Sequence, residues 1–455
     1  MWLWGLMTAS GNVPGRLHGA ASDLDLAVLA DVSTLRGRLE ELRGKSVLLT
    51  GRDQVAAAAA LVELDGVARR LVLCTPDLAP DHLPRIVQDA EIDAWVGDTD
   101  RSPGPQVGLG ITPGAPVSGG VVRRRSLETE WVLLTSGTTG APKLVLHTAA
   151  GLTSAFAGRP PPAEEVVWGT FYDVRRYGGL QILLRALHAG SLVLSSPGET
   201  VPGFLARVGR AGVTHISGTP SHWRKALMSG AASLIDPQYV RLSGEIADQA
   251  ILDGLQAAFP RAMVAHAFAS TEAGVGFEVR DGHAGFPADL AAASGGGAEI
   301  DVSHGTLRLR SAGNALRYLG ADAATLRAAD GFVDTGDQLE LREGRYYFVG
   351  RSGGVINVGG QKVHPEEIEA VINSHPAVHM SRVSARRNAI TGSLVVAEVV
   401  LAHGIGSQLQ PETEVGRGIL ELCRGSLVPY KVPAVIRIVP SLEVSPSGKL
   451  VRANA

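Results

Sequence analysis

Between Lys45 and Gly97 short apolar runs alternate with stretches of helix length, and this alternation constrains the fold more than any other feature of the chain. "KSVLLTG", "RRLVLC" and "DAWVG" have the aliphatic character of buried strands, whereas "DQVAAAAALVELDG" and "PDHLPRIVQDAEI" are rich in helix formers. Strands separated by crossover helices are laid down parallel, which predicts βαβ units with helices covering a sheet. The same pattern resumes in "AGSLVLSS", "VTHISGTP", "YVRLSG" and "AMVAHAFAS", with helical stretches between them. The intervening "RSPGPQVGLGITPGAPVSGG" reads as a Gly- and Pro-rich loop. A turn-rich connection, "AAASGGGAEI", leads to a small β-rich region with strands "GTLRLRS" and "GRYYFVGR". After Arg351 the pattern changes. "PEEIEAVINSHP" is a helix opened by proline with acids at its positive end, followed by strands "HMSRVSA" and "SLVVAEVVLA" and a helix near 412–427. The expected fold class is α/β: a large N-terminal domain of layered α/β subdomains plus a β-rich subdomain, residues 1–350, and a smaller mobile α+β domain, residues 351–455.

Charge and cysteine usage remove several classes of function. A net charge of −3 leaves no basic footprint for nucleic acid and no polybasic membrane patch. The 13 histidines form no metal-spaced cluster, and Cys74 and Cys423 belong to no CxxC pattern, so both are expected to be buried thiols. The apolar "MWLWGLMTASGN" lacks the basic segment of a secretory leader, and no stretch is long enough to span a bilayer. A cytoplasmic protein is expected, either monomer or homodimer.

The stretch "LLTSGTTGAPKLV", residues 133–145, follows the apolar "EWVLL". Its glycines let backbone approach a ligand closely, and consecutive N–H groups can cradle an anion. Ser136, Thr138 and Thr139 add hydroxyl donors and Lys143 a cation, a set suited to polyphosphate. A polar surface loop is the plain alternative. A Walker A loop does not fit, because Ala141-Pro142 separates Gly140 from Lys143 and Leu144 stands where the metal-binding hydroxyl belongs.

"TSGTTGAPK" resembles the phosphate-loop signature of the adenylate-forming superfamily, which includes acyl- and aryl-CoA synthetases, peptide-synthetase adenylation domains and luciferases. Further motifs of that family follow in order: "FASTE" (268–272), "DTGD" (334–337), "GRSGGVINVGGQKVHPEEIE" (350–369) and "SPSGKL" (445–450). The resemblance covers nearly the whole chain and is closest in look to acid:CoA ligases. It implies ATP-dependent activation of a small-molecule carboxylic acid to acyl-AMP, with release of pyrophosphate. Transfer to the thiol of CoA would follow, or to the phosphopantetheine of an acyl carrier protein. Both reactants of the first step are anions, so the site needs cationic groups and many donors around the α-phosphate. The resemblance implies that Thr135, Ser136, Gly137, Thr138, Thr139, Gly140 and Lys143 hold the pyrophosphate end of ATP. It gives Thr271 to the α-phosphate, Glu272 to Mg2+, and Phe268 with Ser243, Gly244 and Glu245 to adenine. Asp337 would accept both ribose hydroxyls, Arg351 would reach the ribose or phosphate from the domain junction, and Lys449 would swing in as the catalytic lysine. A non-catalytic nucleotide-binding relative is disfavoured because Thr139, Glu272, Asp337, Arg351 and Lys449 occur together.

The acid pocket is expected around 168–190 and 214–223. Phe171, Tyr172 and Tyr177 would shape a flat pocket beside Gly178. Asp173 invites an amino-acid reading that the long spacing to Gly190 disfavours, and Arg175 or Arg176 is a candidate for a second substrate carboxylate. The chain departs from the family in three places. Gly353 stands at the hinge, where an acid or lysine is usual; Asn357 replaces a lysine; and Ala269 replaces a glycine bordering the pocket, which narrows it. "INVGGQKV" favours CoA over a carrier as acceptor.

Overall fold

The structure is a computed structural model that describes residues 2–8, 15–118, 127–135, 142–156, 158, 160, 164–292, 297–320, 323–388, 392–402 and 412–452. Two large sheets carry the N-terminal domain. The first has seven strands in the order Arg317–Leu319, Lys143–Thr148, Glu130–Thr135, Arg70–Leu73, Ser46–Leu49, Ala94–Val96, Leu109–Ile111. The strands Ser46–Leu49, Arg70–Leu73 and Ala94–Val96 pair in parallel and are buried along their whole length, as expected for strands covered on both faces. Helix Gln54–Leu64 buries all of its side chains except Ala56; its alanine run lets neighbouring elements approach on every side. Asp53 caps it by accepting from the N–H groups of Val55 and Ala56.

The second sheet has eight strands in the order Gly274–Val279, Met263–Ser270, Tyr239–Ser243, His215–Gly218, Val167–Thr170, Ser191–Leu194, Arg16–His18, Asp23–Asp25. Helix Tyr177–Ala189 joins Val167–Thr170 to Ser191–Leu194 as a parallel crossover. The predicted β-rich region is a five-stranded antiparallel sheet that includes Val333–Arg342 and Arg345–Arg351. The smaller C-terminal domain has the hairpin Ile356–Val358 and Gln361–Val363, helices Pro365–Asn373 and Glu412–Ser426, and the sheet Val378–Asn388, Gly392–Leu401, Val435–Ile438. Its separate core includes Ile356, Val363, Ile368, Ile372, Ile419 and Cys423. Cys74 and Cys423 are both buried free thiols, as the sequence reading expects.

One segment differs from expectation. The stretch read as a loop contains the edge strand Leu109–Ile111. Its central Gly110 looks like a strand breaker, but the Trp95 ring lies 2.3 Å from where a Cβ would stand, so only glycine brings this strand against Ala94–Val96. The apolar N-terminal segment is a helix, Leu3–Thr8, with Leu3, Leu6 and Met7 in the core. Among the described residues no helix is long and apolar enough to cross a membrane.

Candidate active site

Parallel pairing brings three motif segments to one edge of the eight-stranded sheet. The strands His215–Gly218, Tyr239–Ser243 and Met263–Ser270 are in register at Gly218 with Leu242 and at Ser243 with Ala267. Thr219, Gly244-Glu245 and Thr271-Glu272 therefore emerge side by side beyond their carboxyl ends, where open α/β sheets bind ligands.

Lys143 and Glu272, which the sequence reading gives to pyrophosphate and to Mg2+, meet at a tyrosine that the motifs do not contain. Thr135 and Lys143 are cross-strand partners that close the 136–141 connection; Ser136, Gly137, Thr138, Thr139 and Gly140 lie outside the described residues. Strand Lys143–Thr148 pairs on its other side with Arg317–Leu319, which sets Tyr318 opposite Val145. The Lys143 Nζ stands 5.2 Å from the Tyr318 ring centroid, and the Tyr318 hydroxyl donates to Glu272 Oε1 at 3.3 Å. Thr271 is fixed through its carbonyl, which accepts from His147 Nε2 at 2.8 Å. Burial lowers the His147 pKa to about 4, so the ring is neutral near pH 7.

Asp337 and Arg351 face each other across the β-rich sheet, with Arg351 Nε 3.0 Å from Asp337 Oδ1. Burial raises the Asp337 pKa, with Arg351 acting against that shift. Arg351 Nη2 also donates to the Thr335 carbonyl at 3.3 Å. Gly353 lies in the exposed single turn Ser352–Gly354, with open space around it. The Asn357 side chain accepts from the Gly360 N–H at 2.9 Å and ties off the adjoining hairpin turn.

Lys449 sits in the cleft between the two domains. Its Cε lies 3.6 Å from where a Cβ on Gly244 would stand. Solvent reaches the side chain, yet the cleft walls crowd it. That desolvation lowers its pKa, with Arg351 and Arg176 acting the same way and Glu245 and Asp337 opposing. The lysine turn is docked: Thr219 Oγ1 donates to the Gly448 carbonyl, and Glu245 Oε1 accepts from the Leu450 N–H at 2.9 Å. A second clasp joins the domains nearby. Arg224 donates to the His379 carbonyl at 3.0 Å, His379 Nε2 bonds the Arg224 carbonyl at 2.6 Å, and Asn373 donates to Asp248 at 2.9 Å.

Several expected pocket residues have other partners. Arg175 is 1% exposed, paired with Asp173 at 2.6 Å, and donates to the Gly51 carbonyl, so it cannot meet a substrate carboxylate. The same pair engages both Asp173 oxygens, which removes Asp173 as a free carboxylate for a substrate amine. Arg176 reaches Asp77 at 2.5 Å through Nη2, while its Nε is buried without a partner. Phe171, Tyr172 and Tyr177 are all buried and back the cleft instead of standing free in it. Phe171 stacks on His222 at 5.0 Å, and the Tyr172 hydroxyl donates to the Ser243 carbonyl at 2.7 Å. A Cβ at Gly178 would meet the Tyr172 ring at 3.5 Å, ordinary contact distance. Phe268 stacks with Phe277 and Phe348 in the β-rich core, which leaves only its partly exposed side toward a nucleotide. Ala269 follows it at a register shift in the strand pairing. The Glu245 carboxylate accepts from two backbone N–H groups, those of Ser221 and Leu450, one on each oxygen. Tyr318, His147 and His222 were missed in the motif reading; Thr219-Pro220, a helix-start signal inside a quoted segment, was the one clue to the seat of the lysine turn.

A family model described as AMP-binding enzyme matches residues 44–297, more than half of the chain. The chain belongs to the AMP-binding enzyme family. The C-terminal domain model of AMP-binding enzymes matches residues 367–449 and ends on the cleft lysine. Among curated AMP-binding relatives, 4-hydroxybutyrate–CoA ligase 1 of Metallosphaera sedula is 28% identical over 70% of this chain and 60% of its own length. The match thus spans less than two thirds of that relative. A 2-succinylbenzoate–CoA ligase of Listeria innocua is also 28% identical, over 71% of this chain and 69% of its own. Among solved structures, the anthranilate CoA ligase AuaEII in complex with anthranoyl-AMP superposes with a TM-score of 0.80 at 18% identity, covering 98% of this chain and 94% of that one. The amide bond synthetase McbA from Marinactinospora thermotolerans gives 0.79 at 19%, with 98% of each chain covered. These structural likenesses establish the overall fold.

Proposed function

We propose that this chain is an AMP-forming acid–CoA ligase for an aryl or modest-sized acyl acid, with residues 1–350 binding ATP and acid and residues 351–455 carrying Lys449 as a mobile unit. In the first step a carboxylate oxygen bonds to the α-phosphorus of ATP as the bond to pyrophosphate breaks, giving acyl-AMP. In the second the CoA sulfur bonds to the acyl carbon, AMP leaves, and the thiol proton goes to solvent. The observation that carries the reading is the placement of Lys449 among Glu245, Asp337, Arg351 and Arg176. A cation there neutralises charge where acid and α-phosphate meet, in the first step only. Asp337 offers a carboxylate to the ribose and Arg351 orients it. Lys143 and its cross-strand partner Thr135 would stand at the departing pyrophosphate.

Glu272 has one oxygen bonded to Tyr318, and no group of three metal-ligating side chains occurs among the described residues. A lone carboxylate fits Mg2+, which keeps water and phosphate oxygens as its other ligands. Bound at Glu272, the ion would supply positive charge to the ATP phosphates.

The CoA-ligase relatives support CoA over a carrier-protein phosphopantetheine as acceptor. Two buried free thiols support a reducing, cytoplasmic setting. The test is pyrophosphate release across a panel of aryl and short acyl acids, with the product then offered CoA or a phosphopantetheinyl carrier. Acid-dependent release and an acyl-CoA product are expected; release without acyl-CoA, but with a loaded carrier, would favour the alternative.

A further inference from the structure

We infer that Glu245 is a positioning residue for Lys449: it seats the lysine turn in the cleft and acts on acyl-AMP formation through the backbone instead of through the nucleotide. The inference rests on the two-step reading above. The two oxygens of Glu245 are divided between two elements. Oε2 accepts from the Ser221 N–H at 2.9 Å, in the first turn of helix Pro220–Met228, and Oε1 accepts from the Leu450 N–H at 2.9 Å. A carboxylate at a helix N-terminus is well placed, and bonds from N–H groups to an ionised acceptor are the strong kind. On the other side of Lys449, Thr219 holds the Gly448 carbonyl from the cap position of the same helix. The peptide groups flanking Lys449 are therefore both gripped by the N-terminal domain while its side chain passes over Gly244.

The turn itself is closed by its own bonds, Gly448 N–H to the Ser445 carbonyl and Ser445 N–H to the Lys449 carbonyl, both 2.8 Å. Just beyond it the chain is tied to the C-terminal domain. Arg382 donates to the Val451 carbonyl at 2.8 Å, and Arg452 pairs with Glu369 at 2.7 Å. The turn is thus a rigid piece carried by one domain and received by a fitted seat on the other. If the C-terminal domain rotates, the seat bonds break while the turn's own bonds hold, and Glu245 contributes one of the seat bonds directly.

Glu245→Gln tests this, because an amide keeps a single acceptor oxygen and loses the charge. Initial rates of acid-dependent pyrophosphate release should fall about 10- to 100-fold, the scale of one charge-assisted bond. KM for ATP should stay near the parent's, and thioester formation from synthetic acyl-AMP and CoA should stay within about twofold. Amide hydrogen exchange in peptides covering 445–452 should speed up, with no change outside these and the first turn of helix Pro220–Met228, whose Ser221 N–H shares the carboxylate. Glu245→Asp, which keeps the charge but shortens the reach, should reproduce the pattern, with slower release and faster exchange at 445–452 but KM and thioester formation near the parent's, and guards against a misfolded first variant. Equal loss of both half-reactions, a raised KM for ATP with unchanged turnover, or unaltered exchange at 445–452 would each overturn the assignment. If the parent releases no pyrophosphate with any acid, the ligase reading fails, and the exchange measurement still decides whether Glu245 holds the turn.

Discussion

Gly448→Ala offers a sharp test of whether the lysine turn must enter its seat for adenylation. A Cβ at position 448 would lie 1.8 Å from His222 Cε1 and 2.4 Å from Nε2. His222 cannot step aside cheaply. Its ring stacks on Phe171, its Nδ1 accepts from the Thr219 N–H at 3.2 Å, and it belongs to the cap of helix Pro220–Met228. Gly448 also has φ +76°, so alanine adds left-handed strain of about 1–2 kcal/mol. That strain is common to the seated and released turn, because the turn is closed by its own hydrogen bonds. Only the clash with His222 distinguishes the two. Overpacking a buried contact costs about 1–3 kcal/mol, and an unyielding neighbour puts this case near the upper end. About 3 kcal/mol is roughly 10²-fold in rate. Acid-dependent exchange of labelled pyrophosphate into ATP should fall by about that factor. Thioester formation from synthetic acyl-AMP should remain near the parent's, since an expelled turn does not obstruct it. Exchange within about threefold of the parent, or equal loss of both half-reactions with an unchanged melting temperature, would refute the reasoning.

Glu272→Gln should lower pyrophosphate exchange by roughly 10²-fold at subsaturating Mg2+, as removal of a main electrostatic group does; a near-normal rate would remove Glu272 from the metal role. The alkaline limb of kcat/KM for adenylation should set in below the ordinary lysine range of about 10.4. Burial penalises the Lys449 ammonium, so its proton leaves at a lower pH than usual and activity is lost as pH rises; a limb at the ordinary position would contradict the crowded cleft. Arg175→Met should cost about 3–5 kcal/mol in denaturant unfolding, since it strands Asp173 without its partner. Arg176→Met should leave stability closer to the parent's and, if Arg176 reads a second carboxylate, abolish any preference for dicarboxylic over monocarboxylic acids.

The parallel strands and the motif residues were legible because each depends on local pattern: a period, a glycine spacing, a proline at a helix start. The partners were not legible because long-range pairing creates them. Tyr318 reaches Glu272 only because Arg317–Leu319 pairs with Lys143–Thr148, and no local signal in "ALRYLG" announces that strand alignment. Asp173 and Arg175 look like an exposed charged loop in sequence, yet the fold closes them on each other and on Gly51. Glu245 was legible as part of a motif, but its task was not, since its second partner lies 205 residues away. Leu109–Ile111 was hidden by a glycine whose reason is the Trp95 ring across the sheet.

The late arrival of Arg317–Leu319 in the first sheet matters while the chain is being made. Strand Lys143–Thr148 has its partner Glu130–Thr135 at once, but its other edge stays bare until Leu319, 171 residues beyond Thr148 (319 − 148), has been added. At roughly 5–20 residues per second, that edge is open for about 10–35 s on the ribosome. Leu144 and Leu146 lack their cross-strand partners Leu319 and Arg317 during that interval. An unpaired apolar strand edge is a template for pairing with another nascent chain. Slowed translation between residues 148 and 319 should therefore lower the yield of folded enzyme more than the same delay placed after residue 319.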